Sequence, residues 1–177
     1  TKIATSVTNG ACARCHDDGH YHIRPHEWEE SGHGRVWARN STSCAPCHLG
    51  DGFVKTVKGE ELDSATLEVG YGQTCATCHD PHSTANEHQV RFSEEATLVA
   101  LVPGQGDAPV EYKATGMGTG AMCAQCHHMR PGRNTFDTSL HHSHQTEMIL
   151  GVGGYHFEGE TYTSGSHKHM DNACVTC

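Results

Sequence analysis

Ten cysteines fall into five pairs with two residues between the partners: Cys12/Cys15, Cys44/Cys47, Cys75/Cys78, Cys123/Cys126 and Cys174/Cys177. None is left over. The first four pairs are each followed at once by a histidine: His16, His48, His79 and His127. Each cluster gathers two sulfurs and an imidazole within five residues, so whatever these clusters hold dictates how the rest of the chain can fold. The intervals between the pairs are unequal, so this is a repeat of ligand sets and not a solenoid of fixed period.

Three chemistries use paired cysteines. A disulfide framework rarely keeps the same two-residue gap five times. A structural zinc site takes two such pairs, or one pair and two spaced histidines, and does not demand a histidine directly after every pair. Cys-x-x-Cys-His is the attachment signature of haem c, in which both thiols become thioethers and the adjacent imidazole binds iron from one face. The repetition favours haem c, with zinc ribbons and disulfides as the alternatives. The fifth pair closes the sequence at Cys177, where the next residue should be histidine. It is read as a fifth attachment site whose histidine follows in the intact protein; the bland alternative is a disulfide or no ligand at all.

Composition points the same way. Apolar residues are 35% and aromatics 6%, while Gly reaches 20 and His 17. A chain this poor in apolar side chains either stays disordered or folds around something else. A covalently held macrocycle would supply that apolar centre. The formal net charge of −9 argues against nucleic acid as a partner, since phosphate binding needs a basic surface. No run of 18 apolar residues is present, so no transmembrane segment is expected. The opening T-K-I-A-T-S-V-T lacks the apolar stretch of a signal peptide, and the chain reads as exported and already processed.

The histidines outside the motifs far outnumber the irons that four or five haems would bring. Histidine also outnumbers methionine, the rival sixth ligand, so bis-His ligation is expected at most irons. His82 ends C-A-T-C-H-D-P-H, too close to His79 to reach the far side of the same haem, and is expected to bind a neighbouring one. His33 in S-G-H-G and His167 in S-G-S-H are expected as distal ligands on flexible Gly/Ser loops. The H-H-S-H cluster offers His141 or His142, with His144 next, and His20 or His22 provides another. His26, His88, His128 and His156 read as surface histidines, or as partners of propionates and of other ligands.

Secondary structure is expected to be sparse: mostly irregular coil with short α-helices at the attachment sites and a few small β-hairpins, in a single domain over 1–177. One hairpin is expected from Phe53–Lys58 against Ala65–Tyr71, whose β-branched residues alternate. Another pairs Thr97–Val102 with Val110–Ala114 around a turn of Pro103, Gly104, Gly106 and Asp107. Helical turns are expected at Glu27–Glu30 and Gln145–Leu150.

Through C-A-R-C-H, C-A-P-C-H, C-A-T-C-H-D-P-H, C-A-Q-C-H and the terminal C-V-T-C, the chain resembles multihaem c-type cytochromes. The motifs are specific for haem attachment and only weakly specific for a subfamily. The resemblance implies heme c as cofactor and an electron carrier, not an enzyme, located in the periplasm or outside the cell. It implies other redox proteins or identical subunits as partners, and some such families polymerise into extracellular cytochrome filaments. A soluble periplasmic shuttle is one alternative. A reductase of nitrogen or sulfur oxyanions is another, although no motif carries the Lys used by multihaem nitrite reductases. The unfinished fifth motif departs from the family pattern and leaves the haem count open.

Overall fold

The computed structural model describes residues 9–16, 24–35, 39–69, 72–100, 110–129, 144–151, 157, 159–163 and 165–176. The chain divides into two compact units, Thr1–Gln89 and Val90–Cys177. Among the described residues, regular structure is confined to short helices and one two-stranded sheet, and the rest is coil. None of the described helices is long and apolar enough to cross a membrane.

The first unit carries α1 (Asn9–Cys12), α2 (Arg24–Glu30), α3 (Ala45–His48), α4 (Gly50–Val57), α5 (Ser64–Val69) and α6 (Cys75–Cys78). In α2, Pro25 stands in the first turn, where its missing N–H costs no hydrogen bond. The helix includes the turn expected at Glu27–Glu30. Its end is closed by Ser31, whose hydroxyl donates to the Trp28 carbonyl at 2.7 Å.

The hairpin expected from Phe53–Lys58 and Ala65–Tyr71 does not form. Phe53–Val57 lies in α4 and Ala65–Val69 in α5, while residues 70–71 fall outside the described set. Apolar burial at Leu49 and Phe53, four residues apart, follows the helical period and wins over the β-branched content of F-V-K-T-V-K. Both side chains bury with Ala45 of α3. The close approach requires Gly52, where a Cβ would stand 2.6 Å from the Ala45 carbonyl oxygen. Asp63 then caps α5, accepting from the Thr66 N–H at 2.8 Å and the Thr66 hydroxyl at 2.6 Å. Its other oxygen pairs with Lys55 of α4 at 3.0 Å.

In the second unit, β1 (Glu95–Ala100) runs antiparallel to β2 (Val110–Thr115), with Ala96 opposite Ala114 and Leu98 opposite Tyr112. This is the second expected hairpin; its connecting turn lies outside the described residues. α7 (Ala121–Ala124) and α8 (Gln145–Leu150) follow, the latter with the bounds expected from sequence. Ala96, Leu98 and Ala114 pack with Met117, Ala121, Ala124 and Ala173, flanked by Phe92, Ile149 and Leu150. Among the described residues this cluster is made largely of alanine, whose burial stabilises less than that of larger apolar side chains, at about 0.8 kcal/mol per buried CH₂.

Candidate haem-attachment sites

Four of the five motifs fold into the same local turn. The His16 N–H donates to the Cys12 carbonyl at 2.9 Å, and His48 to Cys44 at 3.0 Å. His79 donates to Cys75 and His127 to Cys123, both at 2.9 Å. Each is one helical turn closed from the histidine back to the first cysteine, which places both cysteines and the histidine along one side of the turn. At the third motif the turn is capped from within: the Thr77 hydroxyl accepts from the Thr74 N–H at 2.9 Å. The nine described cysteines are thiols and form no disulfide.

The described cysteines differ in exposure. Cys12, Cys44, Cys47, Cys75, Cys78, Cys123 and Cys126 are all half-buried, whereas Cys15 is exposed, as is His16 beside it. α1 ends at Cys12, and Cys15 stands on the turn beyond it, its N–H returned to the Cys12 carbonyl at 3.1 Å. Cys15 thus keeps the backbone geometry of an anchor without the sheltered setting of the others. Cys174, also exposed, belongs to a motif built differently. It has a left-handed φ of 70°, and the Val175 and Thr176 N–H groups both turn back to the Asn172 carbonyl. Cys177 lies outside the described residues.

The motifs also dock on one another within each unit. The side-chain amide of Gln73 donates to the Cys47 carbonyl. The Gly50 N–H donates to the Gly72 carbonyl at 3.2 Å, so the second and third motifs lie against each other. Gly50 has to be glycine here, because a Cβ would stand 2.7 Å from Thr77 Oγ1 and 2.9 Å from the Gly72 oxygen. The first motif joins them through Cys12, the more sheltered of its two thiols. Burial, and then the neighbouring Cys12 thiol, push the Cys75 thiol up to about 11.

In the second unit the fourth and fifth motifs meet. Asn172 Oδ1 accepts from the Thr119 N–H at 3.1 Å, and a Cβ on Gly120 would collide with the Ala173 carbonyl. The Cys174 thiol hydrogen-bonds to Cys123 and, against the effect of burial, holds the Cys123 thiol down at about 7. Sulfurs from two motifs are thus neighbours in both units. Nothing in the spacing of the motifs along the sequence announces this.

The third motif's histidine has a fixed orientation. His79 Nδ1 lies 3.0 Å from the His88 carbonyl oxygen, and a carbonyl can only accept. Nδ1 therefore carries the proton and the Nε2 lone pair is left for a metal. His88 is expected from sequence as a surface histidine or as a partner of another ligand; it is its main-chain carbonyl that meets His79, and no sequence signal marks that atom.

His82 occupies the third position of a turn closed from the Ser83 N–H to the Asp80 carbonyl at 3.1 Å, with Pro81 before it. Its φ of 62° is left-handed, and its N–H is held by Gln89 Oε1 at 2.7 Å. The side chain is exposed. His33 is exposed too, on a loop tightly folded against α2, since a Cβ on Gly34 would stand 2.5 Å from the Trp28 oxygen. His167 rides on a 3₁₀ turn, Ser166–His169, in place of the expected loop. His26 faces Glu30 one helical turn on, at 3.3 Å. His20, His22, His141, His142 and His156 lie outside the described residues.

Around the fourth motif, α8 acts as a brace. The Thr146 N–H and hydroxyl both donate to the His127 carbonyl, at 3.0 and 2.6 Å. Glu147, fully buried, accepts the Met129 N–H at 2.9 Å. Between them, His128 Nδ1 lies 2.6 Å from the Met129 carbonyl oxygen. His144, which opens the helix, has a buried Nδ1 that makes no hydrogen bond among the described residues. The helix is legible in the sequence; the roles of Thr146 and Glu147 are not.

These residues fit haem c: paired thiols and a histidine on one turn, and at His79 a ring already oriented by a carbonyl. Among the described residues no group of three or more His, Cys, Asp or Glu lies close enough together to hold a metal ion. No protein-family model, curated protein or solved structure matches the chain.

Proposed function

We propose that the chain is a multihaem c-type cytochrome that carries electrons through four or five covalently bound haems, most of them ligated by two histidines. The observation that carries this reading is the turn repeated at Cys12–His16, Cys44–His48, Cys75–His79 and Cys123–His127. One sequence signature has become one structural unit four times over. Bound haem supplies a one-electron couple whose potential responds to axial ligation, hydrogen bonding and burial.

The chain's own part is attachment and placement. The thiols anchor each macrocycle, and the motif histidine approaches from one side. Docking of the second motif on the third, and of the fourth on the fifth, sets how near one redox centre lies to the next. Irons saturated by histidine relay electrons and resist binding substrate, so the role is carriage and not turnover. Covalent attachment of this kind implies a site of action in the periplasm or beyond the cell. Redox proteins, or further copies of this chain, are then the partners, including a conductive cytochrome filament.

Pyridine haemochrome analysis with intact mass is the deciding experiment. Four or five haems per chain are expected, and a colourless protein with unmodified thiols would end the reading. Carbon monoxide then separates carrier from reductase, because a reduced spectrum altered by the gas reveals an open iron. Electron microscopy of the native protein separates filament from shuttle; particles that stay monomeric at high concentration would exclude the filament.

A further inference from the structure

We infer that Asn40 is a site of N-linked glycosylation, at which a glycan carried on a lipid pyrophosphate is joined to the side-chain amide. This rests on the export that the haem reading above implies, because the modification belongs to surface loops of exported chains. Asn40-Ser41-Thr42 is an Asn-x-Thr tripeptide whose middle residue is not proline, the acceptor pattern for this chemistry. Of Asn9, Asn40, Asn86, Asn134 and Asn172, only Asn40 has Ser or Thr two positions on. So short a pattern also arises by chance, and its setting decides whether it can be used.

That setting is open. Arg39, Asn40, Ser41, Thr42 and Ser43 are all exposed. Asn40 lies in irregular coil directly before a turn in which the Ser41 carbonyl accepts the Cys44 and Ala45 N–H groups at 2.9 and 2.8 Å. The side-chain contact of that turn joins the Ser41 and Ser43 hydroxyls at 3.2 Å and bypasses the two groups that matter. Among the described residues, neither the Asn40 amide nor the Thr42 hydroxyl makes a hydrogen bond. Asn172 is the opposite case: its Oδ1 accepts from the Thr119 N–H at 3.1 Å and the Thr119 hydroxyl at 3.3 Å, the work of a structural asparagine.

A transferase has to take hold of both groups, the amide as nucleophile and the hydroxyl two residues on as its point of recognition. Both are presented to solvent. The reaction is a displacement with no change of oxidation state. The amide nitrogen bonds to the anomeric carbon of the first sugar, the bond from that carbon to the pyrophosphate oxygen breaks, the lipid pyrophosphate leaves, and one amide proton is released. The neighbouring attachment turn is not disturbed, because burial begins only beyond the tripeptide. Cys44 is half-buried and Ala45 completely so, and a glycan on Asn40 adds its bulk outside them.

The test uses the protein purified from its own host, by intact mass, haem content and peptide mass spectrometry. The intact mass should exceed that of the chain and its haems by one glycan, and the peptide carrying Asn40 should release sugar oxonium ions. In the same host, Asn40→Gln and Thr42→Ala should each lose the whole excess, Thr42→Ser should retain it at least in part, and haem content should stay unchanged in all three. Should a variant fail to accumulate, the wild-type peptide decides alone. A haem-loaded protein whose Asn40 peptide is unmodified would overturn the inference and leave the cytochrome reading standing. A glycan on Asn40 of a protein without haem would end that reading and leave the site.

Discussion

Thr146 gives both of its hydrogen-bond donors, main-chain N–H and hydroxyl, to the carbonyl oxygen of His127. The pair ties the first turn of α8 to the residue that closes the fourth attachment turn. Thr146→Val keeps the shape and the N–H bond but removes the hydroxyl. It should destabilise the second unit by about 1 kcal/mol, the usual net worth of one such bond. Urea denaturation followed by circular dichroism reads this directly; an unchanged midpoint would show that the brace carries no load.

The seam between the fourth and fifth motifs should be far less tolerant than an open glycine site. At Gly120 an added Cβ runs into the Ala173 carbonyl, a main-chain group that cannot swing aside. Gly120→Ala should cost about 1–3 kcal/mol through overpacking. Gly165 has nothing within 4 Å, and Gly165→Ala should stay within about 0.5 kcal/mol of the parent. Equal effects at the two sites, measured by thermal unfolding, would contradict the contact.

The thiols of the haem-free chain should differ in reactivity. Cys123 is held down at about 7 by Cys174, while burial and Cys12 push Cys75 up to about 11. Thiolate is the nucleophile, and its intrinsic reactivity falls with its pKa, so the two effects partly offset. At pH 7 Cys123 should be alkylated by iodoacetamide on the order of 10²-fold faster than Cys75. Cys174→Ala should slow Cys123. Peptide mass spectrometry over a time course gives both rates, and parity between Cys123 and Cys75 would refute the assignment.

Acid sensitivity should centre on Asp63. Its hydrogen bonds to the Thr66 side chain and main chain, followed by Lys55, hold its carboxyl well below the ordinary value of 3.8. A carboxyl depressed in the folded state stabilises the fold above its unfolded pKa, and that contribution is lost as pH falls through the folded one. The first unit should therefore weaken below about pH 4. Asp63→Asn should be less stable than the parent at pH 7, and the gap should narrow at pH 3. A gap that stays constant between the two pH values would exclude Asp63 as the titrating group.

How much could be read from the sequence depended on the distance over which each feature is decided. The attachment turns, the hairpin of β1 and β2 and the helix over Gln145–Leu150 rest on neighbours in sequence, and all were legible. Phe53–Val57 was not. Its β-branched residues argue for a strand, but burial of Leu49 and Phe53 beside Ala45, with Gly52 permitting contact, makes it α4. The cysteines divide in the same way. Cys15 has the same spacing as Cys47, Cys78 and Cys126, yet it alone of these four is exposed, because burial depends on what packs nearby and not on the motif. The histidines follow suit. The motif histidines could be located from spacing alone, whereas the carbonyls of His88 and Met129 that lie against the His79 and His128 rings are main-chain atoms without a residue-type signature. The contact of Gln73 with Cys47 and that of Thr119 with Asn172 join distant segments, and no local pattern encodes them.

The closed attachment turn also bears on the order in which such a protein can mature. Each of the four turns is complete within five consecutive residues and needs no distant partner to form. On the cytochrome reading, a haem can be accepted as soon as its own five residues are available, while the rest of the chain is still unfolded. Every macrocycle so attached becomes a nucleus on which the next stretch condenses. In a chain with so few apolar side chains, cofactor insertion would then direct folding, and the docking of one motif on another would be its last step.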